Sequence, residues 1–337
     1  MTRTELLYEK VMLRMDMTKE TGEDELQEII RCVIEEEGKR EFLSLGEKIK
    51  ISRELFNAFR RLDILQDLIE DDEITEIMVN GTENIFYEKR GRLHQTDRHF
   101  ISEERLGDVI QQIAGEANRY VNETSPIVDA RLKDGSRVNV VLKPVAVNGP
   151  VMTIRKFPSE AITMRQLIRM GSLTEEAAGF IEKLVRSKYN IFVSGGTGAG
   201  KTTFLNAMSD YIPKEERIIT IEDNAELQIQ GVANLVRLEA RGPNLEGEGA
   251  VTIRDLIRSA LRMRPDRIIV GEVRGEETVD MISSAMLNGH SGSMSTGHAN
   301  NPSDMLHRLE TMMMMGIDLP LQAIQRQIAS ALDIIIH

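Results

Sequence analysis

Residues 195–203 read Gly195-Gly196-Thr197-Gly198-Ala199-Gly200-Lys201-Thr202-Thr203. The spacing is a glycine, four residues, then Gly-Lys-Thr, the pattern of a phosphate-binding loop. The preceding Asn190-Ile191-Phe192-Val193-Ser194 is a short apolar run suited to a buried parallel strand. From Thr203 the chain continues Phe204-Leu205-Asn206-Ala207-Met208, which reads as the opening of a helix. Strand, glycine loop and helix are the context such a loop requires.

The residue types explain the chemistry. A triphosphate needs donors on several sides. Gly195, Gly196, Gly198 and Gly200 can take backbone angles closed to other residues, which lets successive amides point inward as an anion nest. The following helix adds the partial positive charge of its N-terminus. Lys201 is expected to reach the β- and γ-phosphates, and the Thr202 hydroxyl to hold Mg²⁺.

Working outward, the second half of the chain alternates strand and helix. Strands are expected at 190–194, 217–221, 234–239, 267–271 and 292–296, and helices at 175–187, 201–211, 252–263, 276–287 and 302–315. That alternation predicts a parallel sheet with helices on both faces. Two strands end in acids. Ile268-Ile269-Val270-Gly271-Glu272 makes Glu272 the candidate to orient the attacking water, and Gly271 stands where a metal-organising acid is usual. Ile218-Ile219-Thr220-Ile221-Glu222-Asp223 offers Glu222 to position metal-bound waters or the nucleophile, and Asp223 to cap the next turn. Around Ser295-Thr296-Gly297-His298, a γ-phosphate sensor fits better than a metal site, because His290 and His298 are two ligands only. Arg131, Arg137, Arg155, Arg237 and Arg241 are arginines from which a γ-phosphate contact can come.

Upstream, residues 1–60 read as helices with acidic faces, and Ile51, Leu55 and Phe59 share one side. Residues 61–150 read as a small α/β domain. It has strands near 76–81 and 85–88, a helix over 103–121, and a hairpin at 131–140 turning at Asp134-Gly135. Pro144, Pro150 and Pro158 place an interdomain linker at 151–160, followed by the nucleotide domain at 161–337. Of the 337 residues, 41% are hydrophobic and 28% charged, as in folded soluble proteins. No apolar run approaches membrane-spanning length and no signal peptide is present, so a cytoplasmic location is expected. The net charge of −12 argues against general nucleic-acid or anionic-lipid binding. The single Cys32 excludes an internal disulfide and is expected as a buried thiol. The Met312–Met315 run is expected in a packed helix end.

Together these motifs resemble the type II/type IV secretion-system ATPases, and more narrowly the CpaF type that serves tight-adherence pilus assembly. The resemblance runs from about 63 to 337. It is carried by the hairpin at 126–139, the phosphate loop, Ile221-Glu222-Asp223, the string Arg262-Met263-Arg264-Pro265-Asp266 through Gly275, and Ser293 through Asn300. It implies a RecA-like P-loop NTPase domain beside a smaller N-terminal α/β domain and a helical extension. It further implies ATP and Mg²⁺ as ligands, Glu272 as catalytic acid, His298 as phosphate sensor, and Arg131 and Arg137 closing the site. A homo-hexamer at the inner face of the cell membrane, acting on a membrane platform protein, is also implied. A glycine before Glu272 is usual there. Family members usually continue beyond Asp333-Ile334-Ile335-Ile336-His337, so an incomplete C-terminal domain is expected. A nucleic-acid translocase, or a scaffold that binds nucleotide and hydrolyses it poorly, is the competing expectation.

Overall fold

The structure is a computed structural model and describes residues 3–15, 19, 21–157, 161–242, 248–287 and 289–337. The chain divides into two compact units, residues 1–159 and 160–337.

The first unit opens with three helices, α1 (Arg3–Met12), α2 (Glu23–Arg40) and α3 (Leu45–Arg60). Ser44 and Glu47 form a capping box that starts α3. Leu7, Val11, Leu26, Ile30, Val33, Ile51 and Leu55 close a core among them. Cys32 lies beside that stripe rather than in it and is half-exposed, so the expectation of a buried thiol is corrected. After α4 (Gln66–Glu70) come β1 (Ile74–Asn80), β2 (Asn84–Lys89), β3 (Arg92–Gln95), α5 (Glu103–Glu116), β4 (Ile127–Arg131), β5 (Arg137–Val141) and β6 (Val151–Arg155). The strands make an antiparallel sheet in the order β3-β2-β1-β6-β5-β4. The start of the segment read as linker is therefore a central strand. Met152 and Ile154 alternate inward, a pattern that the flanking prolines obscured. Helix α5 stops five residues earlier than its apolar pattern suggested. Asn118 takes a left-handed φ of 52°, and the Arg119 amide turns back to donate to the Ala114 carbonyl at 2.8 Å.

The second unit holds α6 (Met164–Arg169), α7 (Glu175–Arg186), β7 (Ile191–Gly195), α8 (Lys201–Ser209), β8 (Ile218–Glu222), β9 (Leu235–Glu239), α9 (Ile253–Ala260), β10 (Arg267–Val270) and α10 (Glu277–Asp280). It ends with β11 (Met294–His298), α11 (Pro302–Gly316), α12 (Leu321–Ala331) and β12 (Ile334–Ile336). All strands run parallel in the order β12-β7-β11-β10-β8-β9. Strands β7, β8 and β10 are buried throughout, as β-branched runs covered on both faces should be. Alternate residues face alternate helical layers. Phe192, Ile219, Ile221, Ile268 and Val270 pack with α9, α11 and α12. Ile191, Val193, Ile218 and Ile269 pack with α6, α7 and α8. The helix expected over 276–287 continues past α10 as a π-helical turn, Met281–Met286. Met312 and Met313 join the core, whereas Met314 and Met315 are exposed, so the methionine run is only half packed.

The edge of the sheet away from the glycine loop is pinned by polar groups. Arg267 is wholly buried, and its guanidinium donates to Glu216 at 2.5 and 3.2 Å and to the Val185 carbonyl at 2.8 Å. Asn190 uses its whole amide. It donates to the Met286 and Ala331 carbonyls and accepts from the Gly292 and Ser293 amides. A side chain at Gly292, with φ of 87°, would start 2.6 Å from the Arg267 guanidinium. Removing one partner of such a pair strands the other. Arg267→Ala should therefore cost about 3–5 kcal/mol in urea unfolding, and the paired change Arg267→Met with Glu216→Leu much less.

Candidate nucleotide site

Gly195 is the last buried residue of β7, and residues 196–200 stand exposed beyond it. Gly198 and Gly200 have φ of 73° and 85°, and Gly200 is the left-handed cap from which α8 starts. Lys201 and Thr202 thus open a helix whose free amides face the exposed loop. Thr203 is half-buried one residue further on.

The parallel register brings other residues to the same edge. His298 pairs with Gly195 across β11 and β7. Glu272 follows β10 by two residues, and Glu222 ends β8. Lys201 Nζ donates to the Gly196 carbonyl at 2.8 Å and lies 3.2 Å from His298 Nδ1. An ammonium can only donate, so His298 Nδ1 accepts and the ring proton sits on Nε2. That nitrogen lies 2.8 Å from Glu272 Oε1. Glu272 Oε2 accepts from Arg274 at 2.6 Å, and Arg274 reaches within 3.9 Å of Asp223. Lys201, His298, Glu272, Arg274 and Asp223 therefore form one continuous chain of contacts. Burial pushes His298 below its ordinary value, with Glu272 opposing and Lys201 and Arg274 adding, which keeps the ring neutral. Burial also pushes Lys201 down, with Glu272 opposing.

Glu222 behaves differently. Its side chain turns inward, 3% exposed, and Oε1 accepts from the Glu226 and Leu227 amides, both at 2.9 Å. It braces the loop after β8. It also passes over Gly271, where an added Cβ would meet Glu222 Cγ at 2.9 Å. A glycine there leaves the room that Glu222 occupies. The Gly271 carbonyl accepts from Thr296 Oγ1 at 2.7 Å, and the Gly271 amide donates to the Ile221 carbonyl at 2.8 Å, which locks the three strand ends together.

Arg131 and Arg137 lie in the first unit, opposite each other across the β4–β5 hairpin. Arg155 pairs with Arg137 on the adjoining strand. Arg237 lies on β9, and Arg241 donates to the Gly249 carbonyl. His290 sits at the opposite end of β11 from His298, 3.0 Å from the Pro265 carbonyl. Sequence reasoning left Arg274 unassigned. The signal available for it was a cation two residues after Glu272 in the same turn.

Burial raises Glu222 from 4.5 to about 7, against the two amides that favour its charged form. An acid with raised proton affinity in the folded state favours folding below its unfolded value, and the benefit fades as pH rises through its folded value. Wild-type stability should fall by about 3 kcal/mol from this group between roughly pH 4.5 and 7. Denaturant titrations of Glu222→Gln should lack that fall.

A family model described as Type II/IV secretion system protein matches residues 60–337. The chain is 36% identical over 280 residues to a putative conjugal transfer protein of Mycobacterium tuberculosis, covering 81% of this chain and 79% of that one. It is 31% identical over 299 residues to the type IV secretion system protein PtlH of Bordetella pertussis, covering 82% and 88%. Among solved structures it is similar to the pilus retraction motor PilT with bound ADP, at TM-score 0.58 and 23% identity, covering 80% of this chain and 75% of that one. At that identity the likeness speaks for the fold alone, and the second unit is a RecA-like α/β domain. With residues 60–337 of its 337 inside the family match, the chain belongs to the Type II/IV secretion system protein family.

Proposed function

We propose that this chain is a motor ATPase that hydrolyses ATP to ADP and phosphate and drives pilus assembly or protein secretion. The observation that carries the reading is the contact chain from the glycine loop through Lys201 and His298 to Glu272 at one sheet edge. Family membership supports it, as do relatives named for conjugal transfer and type IV secretion. Within the family, the residue strings at 126–139, 262–275 and 293–300 favour the CpaF type. The working form is a homo-hexamer docked on an inner-membrane platform protein, peripheral at the inner face of the membrane. Among the described residues no helix is long and apolar enough to cross a membrane. Residues 1–60 serve as a helical extension and the sheet through β6 as the N-terminal domain. Arg131 and Arg137 enter this proposal as the site-closing arginines that the resemblance implies.

The residues fit Mg²⁺. Thr202 stands at the second position of α8, and buried oxygens Glu222 Oε2 and Glu272 Oε1 lack hydrogen-bond partners at neighbouring strand ends, a hard-oxygen environment. Thr202 would hold Mg²⁺, and the ion would supply positive charge against the phosphates. The loop amides of 195–203 hold the remaining phosphate oxygens. Lys201, now bound to its own loop and to His298, turns its ammonium to the β- and γ-phosphates. His298 then loses its Nδ1 donor and is released to sense the γ-phosphate. Glu272 Oε1, close to His298 but misaligned for a hydrogen bond, becomes the acceptor for the attacking water.

The conjugal-transfer name of one relative favours a second reading, in which the cargo is nucleic acid. Stimulation of turnover by single-stranded DNA decides for it. In phosphate-release assays Lys201→Ala should fall to background, and normal turnover by that variant overturns the site. Glu272→Gln should lose about 10²–10⁴ in rate while binding a fluorescent ATP analogue as the wild type does.

A further inference from the structure

The two oxygens of Glu272 are held unequally. Oε2 accepts a 2.6 Å hydrogen bond from Arg274 Nη2. Oε1 lies 2.8 Å from His298 Nε2 yet is buried without a hydrogen-bond partner. Fixing one oxygen of a carboxylate fixes the direction of the other. Arg274 is itself anchored. Its backbone amide and that of Gly275 both donate to Glu277 Oε1, at 2.5 and 2.8 Å. The preceding Val273 amide donates to the Thr296 carbonyl on β11 at 3.1 Å. The far side of the guanidinium lies 3.9 Å from Asp223, just past β8. Strands β8 and β10 are neighbours, so one arginine spans the two strand ends that carry the acids. The Arg274 side chain is 62% exposed, so the pair adds little to stability, and its effect is on direction.

We propose that Arg274 is a positioning residue: tethered on its other side by Asp223, it occupies Glu272 Oε2 and so presents Oε1 to the attacking water. The role rests on the hydrolytic reading above. It assigns Asp223 the tether and Arg274 no contact with nucleotide.

The test uses the purified full chain, with steady-state phosphate release in Mg·ATP and separate titration of a fluorescent ATP analogue. Arg274→Ala should lower kcat about 100-fold, with KM and analogue affinity unchanged. Arg274→Lys should recover part of the loss, because an ammonium can hold Oε2 but lacks the fork that also spans to Asp223. Asp223→Asn should lower kcat in the same direction by less. If Arg274→Ala fails to fold in a thermal melt, Arg274→Lys and Asp223→Asn carry the same comparison. Unchanged kcat in these variants overturns the proposal. A raised KM with intact kcat also overturns it, by moving Arg274 onto the nucleotide. A wild-type chain that binds the analogue and releases no phosphate overturns the hydrolytic reading itself, and the positioning role with it.

Discussion

A parallel sheet imposes a strict constraint on where chemistry can gather. Every strand leaves by the same edge, so the residues that follow the strands arrive side by side. Here the pairing of Gly195 with His298, and of Val270 with both Ile221 and Ser295, aligns four strand ends. A one-residue slip would exchange the helical layers that each side chain faces. The register is held far from the site, by the buried Arg267–Glu216 pair and by Asn190, which ties together the turn before β7, the π-helical turn, the end of α12 and the start of β11. A site at one edge thus depends on polar anchors at the other.

Much of this was legible from local pattern. The five strands of the second unit expected from sequence fall within about two residues of those found, because β-branched runs between glycine and charged punctuation have few other uses. The glycine loop and its helix cap were legible because backbone angles near 73° and 85° call for glycine. What escaped was set by distant partners. β6 is a strand because β1 and β5 flank it, and β1 lies far from it in sequence. Helix α12, which packs on α11 and the π-helical turn, gave no motif. The π-helical turn keeps the apolar spacing of an α-helix closely enough that periodicity does not separate the two. Glu222 and Glu272 look alike as acids at strand ends, and only the packing above Gly271 turns one inward and leaves the other near the loop.

The site's electrostatics are arranged before nucleotide arrives. Lys201 is satisfied by its own loop and by His298, and Glu272 is balanced by Arg274. The alternation of cation, neutral ring, carboxylate, cation and carboxylate spreads charge along the edge rather than concentrating it. In the proposed function, phosphate competes with the Gly196 carbonyl and His298 for Lys201.

The close approach of Glu222 to Gly271 carries a consequence for how such sites diverge. A longer residue at 271 begins inside the space of the Glu222 methylene. An acid entering the strand-end position before Glu272 must displace the Glu222 methylene, so the two positions compete for one space and a change at either is felt at the other.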